Sequence, residues 1–420
     1  MNHTIHRIVL LNVILALMFI FVGCSAKPRN AVPAAFAYEA VIPGMPGVRT
    51  WGGMADPAFQ QDIADSIAQV ARAGNSGTVD AEGYVNLLAI SGGSSDGAYG
   101  VGLMAGWSKC TQHPRPKFKI VTGVSTGALT APFFFAGPEW DPVISKLYTT
   151  VAAQDIYRRR NIMEVLFNPE AITSTEPLAK KLEEYITPKL LEDVAKGHAE
   201  GRRLYVATTN LDALRLTVWD MGKIASLGTP ESATLFRKVL LASASVPAVF
   251  PPVKIGVVAD GKHYEEIHAD GGVQSQVFLL GFALDLSRAR KAAGIDGRAV
   301  RTRVYVIRNA QLRLPYDTVP LSLGALAGRS ISGLISSQGN EDLKRIHSVA
   351  TKSGMDFRLA CIPDDFPRTT TVMFDTAEMN RLYDLAYAKA VKGYPWLTTP
   401  PVVAEDITTA APDIQLEKKP

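Results

Sequence analysis

Three short stretches of the 420-residue chain combine residue types that could carry out nucleophilic chemistry. The first is Gly123-Val124-Ser125-Thr126-Gly127, a Gly-x-Ser-x-Gly that follows an apolar run at 118–122 and precedes a helix-compatible segment at 128–131. A serine on so sharp a strand-to-helix turn adopts strained backbone angles, and Gly123 and Gly127 lack the Cβ atoms that would keep the two elements apart. Such an elbow lifts the Ser125 hydroxyl clear of the sheet beside the unpaired N–H groups that open the helix. A plain tight βα turn is the structural alternative. The second stretch, Ser91-Gly92-Gly93-Ser94-Ser95-Asp96-Gly97, also follows an apolar strand and contains its own Gly-x-Ser-x-Gly around Ser95. Consecutive N–H groups in a glycine-rich loop favour an anion, either a phosphate or a developing oxyanion. The loop lacks the Lys-Ser/Thr ending of a nucleotide P-loop, and Ser94 stands where Gly-x-Gly-x-x-Gly requires its second glycine. The third stretch, Asp270-Gly271-Gly272, reads by itself as a turn.

These residues need a scaffold, and the order of elements supplies one. Residues 84–90 form a buried-strand candidate, 97–107 a helix, 204–209 and 216–220 strands, 232–244 a helix and 303–307 a further strand. Segments 128–153 and 175–200 read as mainly helical, as do regions around 322–338 and 376–392. Phe59, Ile63, Ile67 and Val70 recur at helical spacing on one face. The Pro-rich apolar stretch 245–253 cannot form a central strand and reads as a packed wall. Alternating helices and strands predict an α/β fold, a three-layer α/β/α domain with a largely parallel central sheet.

With 47% hydrophobic and 20% charged residues the chain reads as globular. A net charge of +4 and the absence of long Lys/Arg runs exclude nucleic acid as the expected partner. At the N-terminus, Arg7 precedes an almost wholly apolar run at 8–23, ending in Val22-Gly23-Cys24-Ser25. A run this short suits a signal peptide, and Cys24 after Gly23 resembles a bacterial lipobox, which implies lipidation of Cys24. The expected organisation is a lipoprotein signal peptide at 1–23, a Pro/Gly/Ala-rich tether at 24–55, a folded domain at 56–396 and a poorly ordered tail at 397–420. Cys110 and Cys361 have spacing that suggests neither a disulfide framework nor a metal site, and both are expected to be buried or free.

Taken in order, the glycine loop at 91–97, the elbow at 123–127, Ala244-Ser245-Val246-Pro247-Ala248-Val249-Phe250-Pro251-Pro252 and Asp270-Gly271-Gly272 resemble the patatin-like phospholipase family. Phe374-Asp375, Tyr383 and the Gly393-Tyr394-Pro395-Trp396 ending extend the resemblance to about 84–396. It implies a lipid acyl hydrolase with a Ser–Asp dyad and no metal or other cofactor. Ser125 then corresponds to the nucleophile, Asp270 to its base, and Ser95 falls in the oxyanion loop.

The chemistry of the residues agrees. A serine hydroxyl becomes nucleophilic only when a base takes its proton. Of the seven histidines, only His347 follows Asp270, as the order Ser, acid, His requires, and its setting is a charged helix. His263 and His268 stand very close in sequence to the acid that would orient them. Asp270 can act directly if burial raises its pKa, and Gly271 and Gly272 let its loop approach Ser125. The N–H groups of Gly92, Gly93, Ser94 and Thr126 are the expected oxyanion donors, each worth about 3 kcal/mol.

Ser94 replaces the third glycine of the family loop, and Asp96 stands where the family has arginine. Asp96 is expected to turn away and accept N–H groups at the start of the 97–107 helix. Ser94 is compatible with the loop provided its φ is negative. Phe133-Phe134-Phe135 and residues 246–253 supply bulk for an acyl chain. These features predict an envelope lipoprotein, facing the periplasm or exterior, whose substrate is a lipid ester. A histidine-based esterase and a lipid-binding protein with a decayed site are the alternatives.

Overall fold

Aliphatic runs buried on both faces mark strands that lie between helical layers. The computed structural model describes residues 29–54, 56–72, 78–167, 170–279, 301–314 and 316–401. The signal-peptide residues, Cys24 and residues 402–420 lie outside that set. Within it, nine strands build one sheet: β1 (Arg49–Trp51), β2 (Tyr84–Ile90), β3 (Ile120–Gly123), β4 (Arg203–Asn210), β5 (Arg215–Asp220), β6 (Val253–Ala259), β7 (Lys262–Asp270), β8 (Arg301–Gln311) and β9 (Asp356–Ile362). The order is β1-β5-β4-β3-β2-β8-β9, and the five strands β4, β3, β2, β8 and β9 are mutually parallel. The strands β1 and β5 add antiparallel to one edge. The β6–β7 hairpin joins through β7, which pairs with the end of β4 at Thr208↔Asp270. The sheet is thus mixed but mostly parallel, as expected.

The principal helices are α1 (Pro57–Arg72), α2 (Gly97–Trp107), α3 (Thr126–Ala136), α4 (Asp141–Thr150), α5 (Glu176–Tyr185), α6 (Pro188–Ala199), α7 (Pro230–Ser243), α8 (Leu323–Lys352) and α9 (Thr376–Val391). Strand alternation divides the core in two. Leu88, Ile90, Val121, Leu204 and Val206 face α2, α3, α6, α7 and α9. Leu87, Ala89, Ile120, Tyr205 and Val304 face Phe59 and Ile63 of α1 and Leu343 and Ile346 of α8. This is a three-layer α/β/α arrangement. α2 lies directly on α9 because Gly102 and Gly106 carry no side chain. A Cβ at Gly106 would sit 2.5 Å from the Tyr387 carbonyl, and one at Gly102 would overlap that of Tyr383.

Two expectations need correction. The tether assigned to 24–55 packs onto the domain where it is described, because Ile42, Met45 and Val48 bury their side chains in the core. Its last residues form β1 against β5, and Arg49 pairs with Glu266. A low-complexity composition concealed three well-spaced apolar anchors. The presumed tail also begins later, since Leu397 exchanges backbone hydrogen bonds with Leu359 at 2.8 and 2.9 Å. Cys110 is buried and Cys361 partly buried, both as free thiols.

Candidate active site

The elbow is strained as its sequence requires. Ser125 has φ 55° and ψ −125°, in a region where a side chain crowds its own backbone. Two contacts hold it there. Its N–H donates to Ser243 Oγ at 3.0 Å, and Ser243, fully buried at the end of α7, donates in turn to the Ala207 carbonyl at 2.7 Å. Gly127 makes the crossing possible, because a Cβ there would overlap the Ile90 carbonyl, and a Cβ at Gly123 would overlap that of Gly127.

Asp270 arrives from the other direction, at the end of β7. Its N–H donates to the Ser245 carbonyl at 2.9 Å, and its own carbonyl accepts the Thr209 hydroxyl at 2.9 Å. A Cβ at Gly271 would lie 2.6 Å from the Ala207 carbonyl and 3.1 Å from Val124, so glycine brings this loop against the elbow. Asp270 Oδ1 accepts the Gly272 N–H at 2.7 Å, whereas Oδ2 is buried and accepts no hydrogen bond among the described residues. Burial pushes the carboxyl up to about 7, opposed in part by the neighbouring Ser125 hydroxyl and the Gly272 N–H. Chemically this is a carboxylate with a free basic oxygen, a pKa near neutrality and a serine as neighbour.

The glycine loop lies alongside. A Cβ built on Gly92 would fall 3.1 Å from Ser125 Cβ and 3.7 Å from its Oγ. The Gly92 N–H, expected to serve as an oxyanion donor, instead donates to the Gln276 carbonyl at 3.0 Å. Among the described residues no acceptor takes the N–H groups of Gly93, Ser94 or Thr126, which remain as donors. Ser94 differs from expectation too: its φ is 53°, left-handed, and costs roughly 1 kcal/mol that glycine would avoid.

Asp96 does not cap the helix that follows it. It forms a two-point pair with Arg368, Nη1–Oδ1 2.7 Å and Nη2–Oδ2 2.6 Å, and makes no side-chain capping bond. A long-range cation thus neutralises the carboxylate that local sequence left beside the loop. Arg368 belongs to a strap at 363–375 that also brings Met373 Sδ to 3.9 Å from Ser94 Oγ and Phe374 into the cavity described below.

Other residues that spacing could not reveal hold these loops together. Asn309 accepts the Gly100 N–H through its side chain at 3.1 Å and donates Nδ2–H to the Ser91 carbonyl at 3.1 Å. A Cβ at Gly93 would overlap Asn309. Gln276 donates to the Gly272 carbonyl at 2.7 Å, while Asp342 Oδ2 accepts the Gln276 N–H at 2.7 Å.

Ser125 opens into an apolar cavity. Leu129, Phe133, Val151, Leu178, Leu182 and Phe250 supply most of its wall. Of the phenylalanine triplet only Phe133 reaches it, Phe134 and Phe135 being core. Val246 and Phe250 of the Pro-rich segment line it as expected, and Ser95 does not.

The histidines stand apart. His268 donates from Nε2 to Glu266 at 2.9 Å and accepts the Thr208 hydroxyl at Nδ1 at 2.8 Å, so both ring nitrogens are engaged. His347 packs edge-on against Phe357. Among the described residues one cluster has metal-ligand proximity: Asp62, His198 and Asp220, with donor atoms within 4.8 Å of one another. It sits near the start of β4, at the opposite end of the sheet from Ser125, and Arg203 already holds Asp62 at 2.6 and 3.0 Å.

Residues 88–283 match a family model described as Patatin-like phospholipase. Among solved structures the chain is similar to VipD from Legionella pneumophila, at 12% identity and TM-score 0.35, over 74% of this chain and 67% of that one. It is also similar to human GIVD cytosolic phospholipase A2, at 12% identity and TM-score 0.31, over 79% of this chain and 53% of that one. No curated protein matches the chain by sequence. The matched span runs from within β2 to beyond the Asp-Gly-Gly turn and includes the glycine loop, Ser125 and Asp270. Across residues 88–283 the chain is therefore similar to a patatin-like phospholipase domain.

Proposed function

We propose that the chain hydrolyses carboxylic ester bonds of lipids through a Ser125–Asp270 dyad, in the manner of a phospholipase A or lysophospholipase. The observation that carries this is a strained serine at the mouth of an apolar cavity, beside a buried carboxylate oxygen that lacks a partner. Asp270 Oδ2 takes the Ser125 proton as Oγ bonds to the ester carbonyl carbon, and negative charge on the carbonyl oxygen meets the N–H groups of Gly93, Ser94 and Thr126. Collapse breaks the bond to the leaving alcohol, which accepts the proton from Asp270. Water then gives a proton to Asp270 and attacks the acyl-enzyme, and the proton returns to Ser125 as the fatty acid leaves. The engaged ring nitrogens of His268 favour this dyad over a histidine-based triad.

The cavity wall argues for an acyl chain, since Leu129, Phe133, Leu147, Val151, Leu178 and Leu182 line it and Lys181 is its one charged residue. A lipid anchor at Cys24 would hold the enzyme in the cell envelope, at its substrate. The test is product analysis: purified full-length protein is incubated with phosphatidylcholine, lysophosphatidylcholine and triacylglycerol, and released fatty acids are quantified by mass spectrometry. Fatty acid from at least one substrate is expected. None from any of the three would overturn the proposal.

Chain-length preference follows from the same wall. Leu182→Trp fills the cavity on the α5 side, and activity on palmitoyl esters should drop about tenfold or more while butyryl esters are cleaved within twofold of wild type. A larger side chain that excludes carbons removes a few kcal/mol of burial, at about 0.8 kcal/mol per CH₂. Equal loss on both esters would show that the acyl chain lies elsewhere.

A further inference from the structure

The first half of α8 is an apolar helix that the described part of the protein leaves uncovered. Leu323, Ala327, Ile331, Leu334 and Ile335 recur at spacings of four, four, three and one, on one face. Leu323 is 87% exposed, Leu334 72% and Ile331 54%, and Leu321 just before the helix is 95% exposed. A Cβ at Gly324, Gly328 or Gly333 would meet nothing within 4 Å. An apolar face open to water is costly for a soluble protein and marks a surface that meets something else.

Its position and charge indicate what. The second half of α8 is tied to the dyad loop: Asp342 accepts from Ser275 and Gln276 at 3.0 and 2.7 Å, and Gln338 donates to the Val273 carbonyl at 3.4 Å. The exposed half thus continues from a residue, Gln338, that touches the dyad loop at Val273, itself exposed, and the cavity lining exposes Val246 as well. Between 318 and 338 the only charged residue is Arg329, so this stretch contributes no acidic side chain of its own to be repelled by anionic lipid. No described helix is long and apolar enough to cross a membrane. These are the properties of a helix that lies in an interface. We propose that residues 321–337 form a membrane-docking helix that seats the cavity mouth on the lipid layer containing the substrate, an inference that rests on the lipid-hydrolase proposal.

The test uses the full chain carrying C24S, to remove any lipid anchor, and S125A, to prevent turnover. The protein is floated with vesicles of phosphatidylethanolamine and phosphatidylglycerol at 3:1. Flotation is expected, and adding L323S and L334S should lower the vesicle-bound fraction about tenfold or more. In the background with Ser125 intact, the same pair should lower hydrolysis of vesicle lipid by a similar factor and leave a soluble butyryl ester within twofold. Unchanged flotation after L323S/L334S overturns docking, as does a shift from dimer to monomer on gel filtration with flotation unchanged, which would assign the face to a second copy. Flotation that depends on both leucines, with no ester cleaved by the protein carrying Ser125, would retain docking and reject the hydrolase.

Discussion

Ser125→Ala is expected to lower ester hydrolysis by about 10⁵-fold or more, since removal of the nucleophile leaves only the contribution of binding and N–H donors. Stability should separate this variant from Ser125→Gly. Both lack the hydroxyl, but alanine keeps the Cβ that crowds the backbone at φ 55° and ψ −125°, whereas glycine relieves it. The glycine variant should therefore be more stable than the alanine variant by about 1–2 kcal/mol, read from urea unfolding of the two side by side. Equal midpoints would mean that the elbow stores no strain.

The second large effect concerns Asp270. Asp270→Asn keeps an oxygen for the Gly272 N–H but cannot take the Ser125 proton, so kcat should fall about 10³-fold or more. Wild-type kcat/KM should rise with pH through about 7 and level off above it, because the base works only when ionised. Stability should move the opposite way. Between the ordinary carboxylate pKa near 4 and the folded value of about 7, the folded protein holds a proton that the unfolded chain has released. The contribution of this group is thus fully present below about pH 4 and is lost as pH rises to about 7. Asparagine has no such loss, so the variant should gain about 4 kcal/mol over wild type at pH 8, on the scale of 1.36 kcal/mol per pKa unit. Activity lost with stability gained would separate a functional burial from a structural one. A variant that is both inactive and destabilised would argue that the carboxylate serves the fold.

The features legible in the sequence are those that local rules control. Glycines at 123 and 127 are required by two elements that nearly touch, and aliphatic runs in β2 and β3 alternate between two cores, so elbow and sheet could be read from spacing. Ser243, Asn309, Gln276 and Arg368 could not, because each acts through a partner far away in the chain. Ser243 meets Ser125 across 118 residues, and Arg368 meets Asp96 across 272. The Arg368 pair explains why local reasoning about Asp96 failed: a capping bond was available nearby, but a two-point ion pair from a distant strap took its place. The positive φ of Ser94 and the donation of the Gly92 N–H to Gln276 are likewise set by what the loop packs on. The 29–54 segment misled through its composition, since a few apolar residues were enough to dock it.

A fluorophosphonate probe tests the dyad most directly, because it reacts only with a serine whose proton is being drawn away. Purified wild-type protein is labelled at neutral pH, digested and sequenced by mass spectrometry, with Ser95→Ala and Asp270→Asn treated in parallel. The predicted result is a single adduct on Ser125, retained in Ser95→Ala and lost in Asp270→Asn. An adduct on Ser95, or labelling of Ser125 that is indifferent to Asp270, would contradict it.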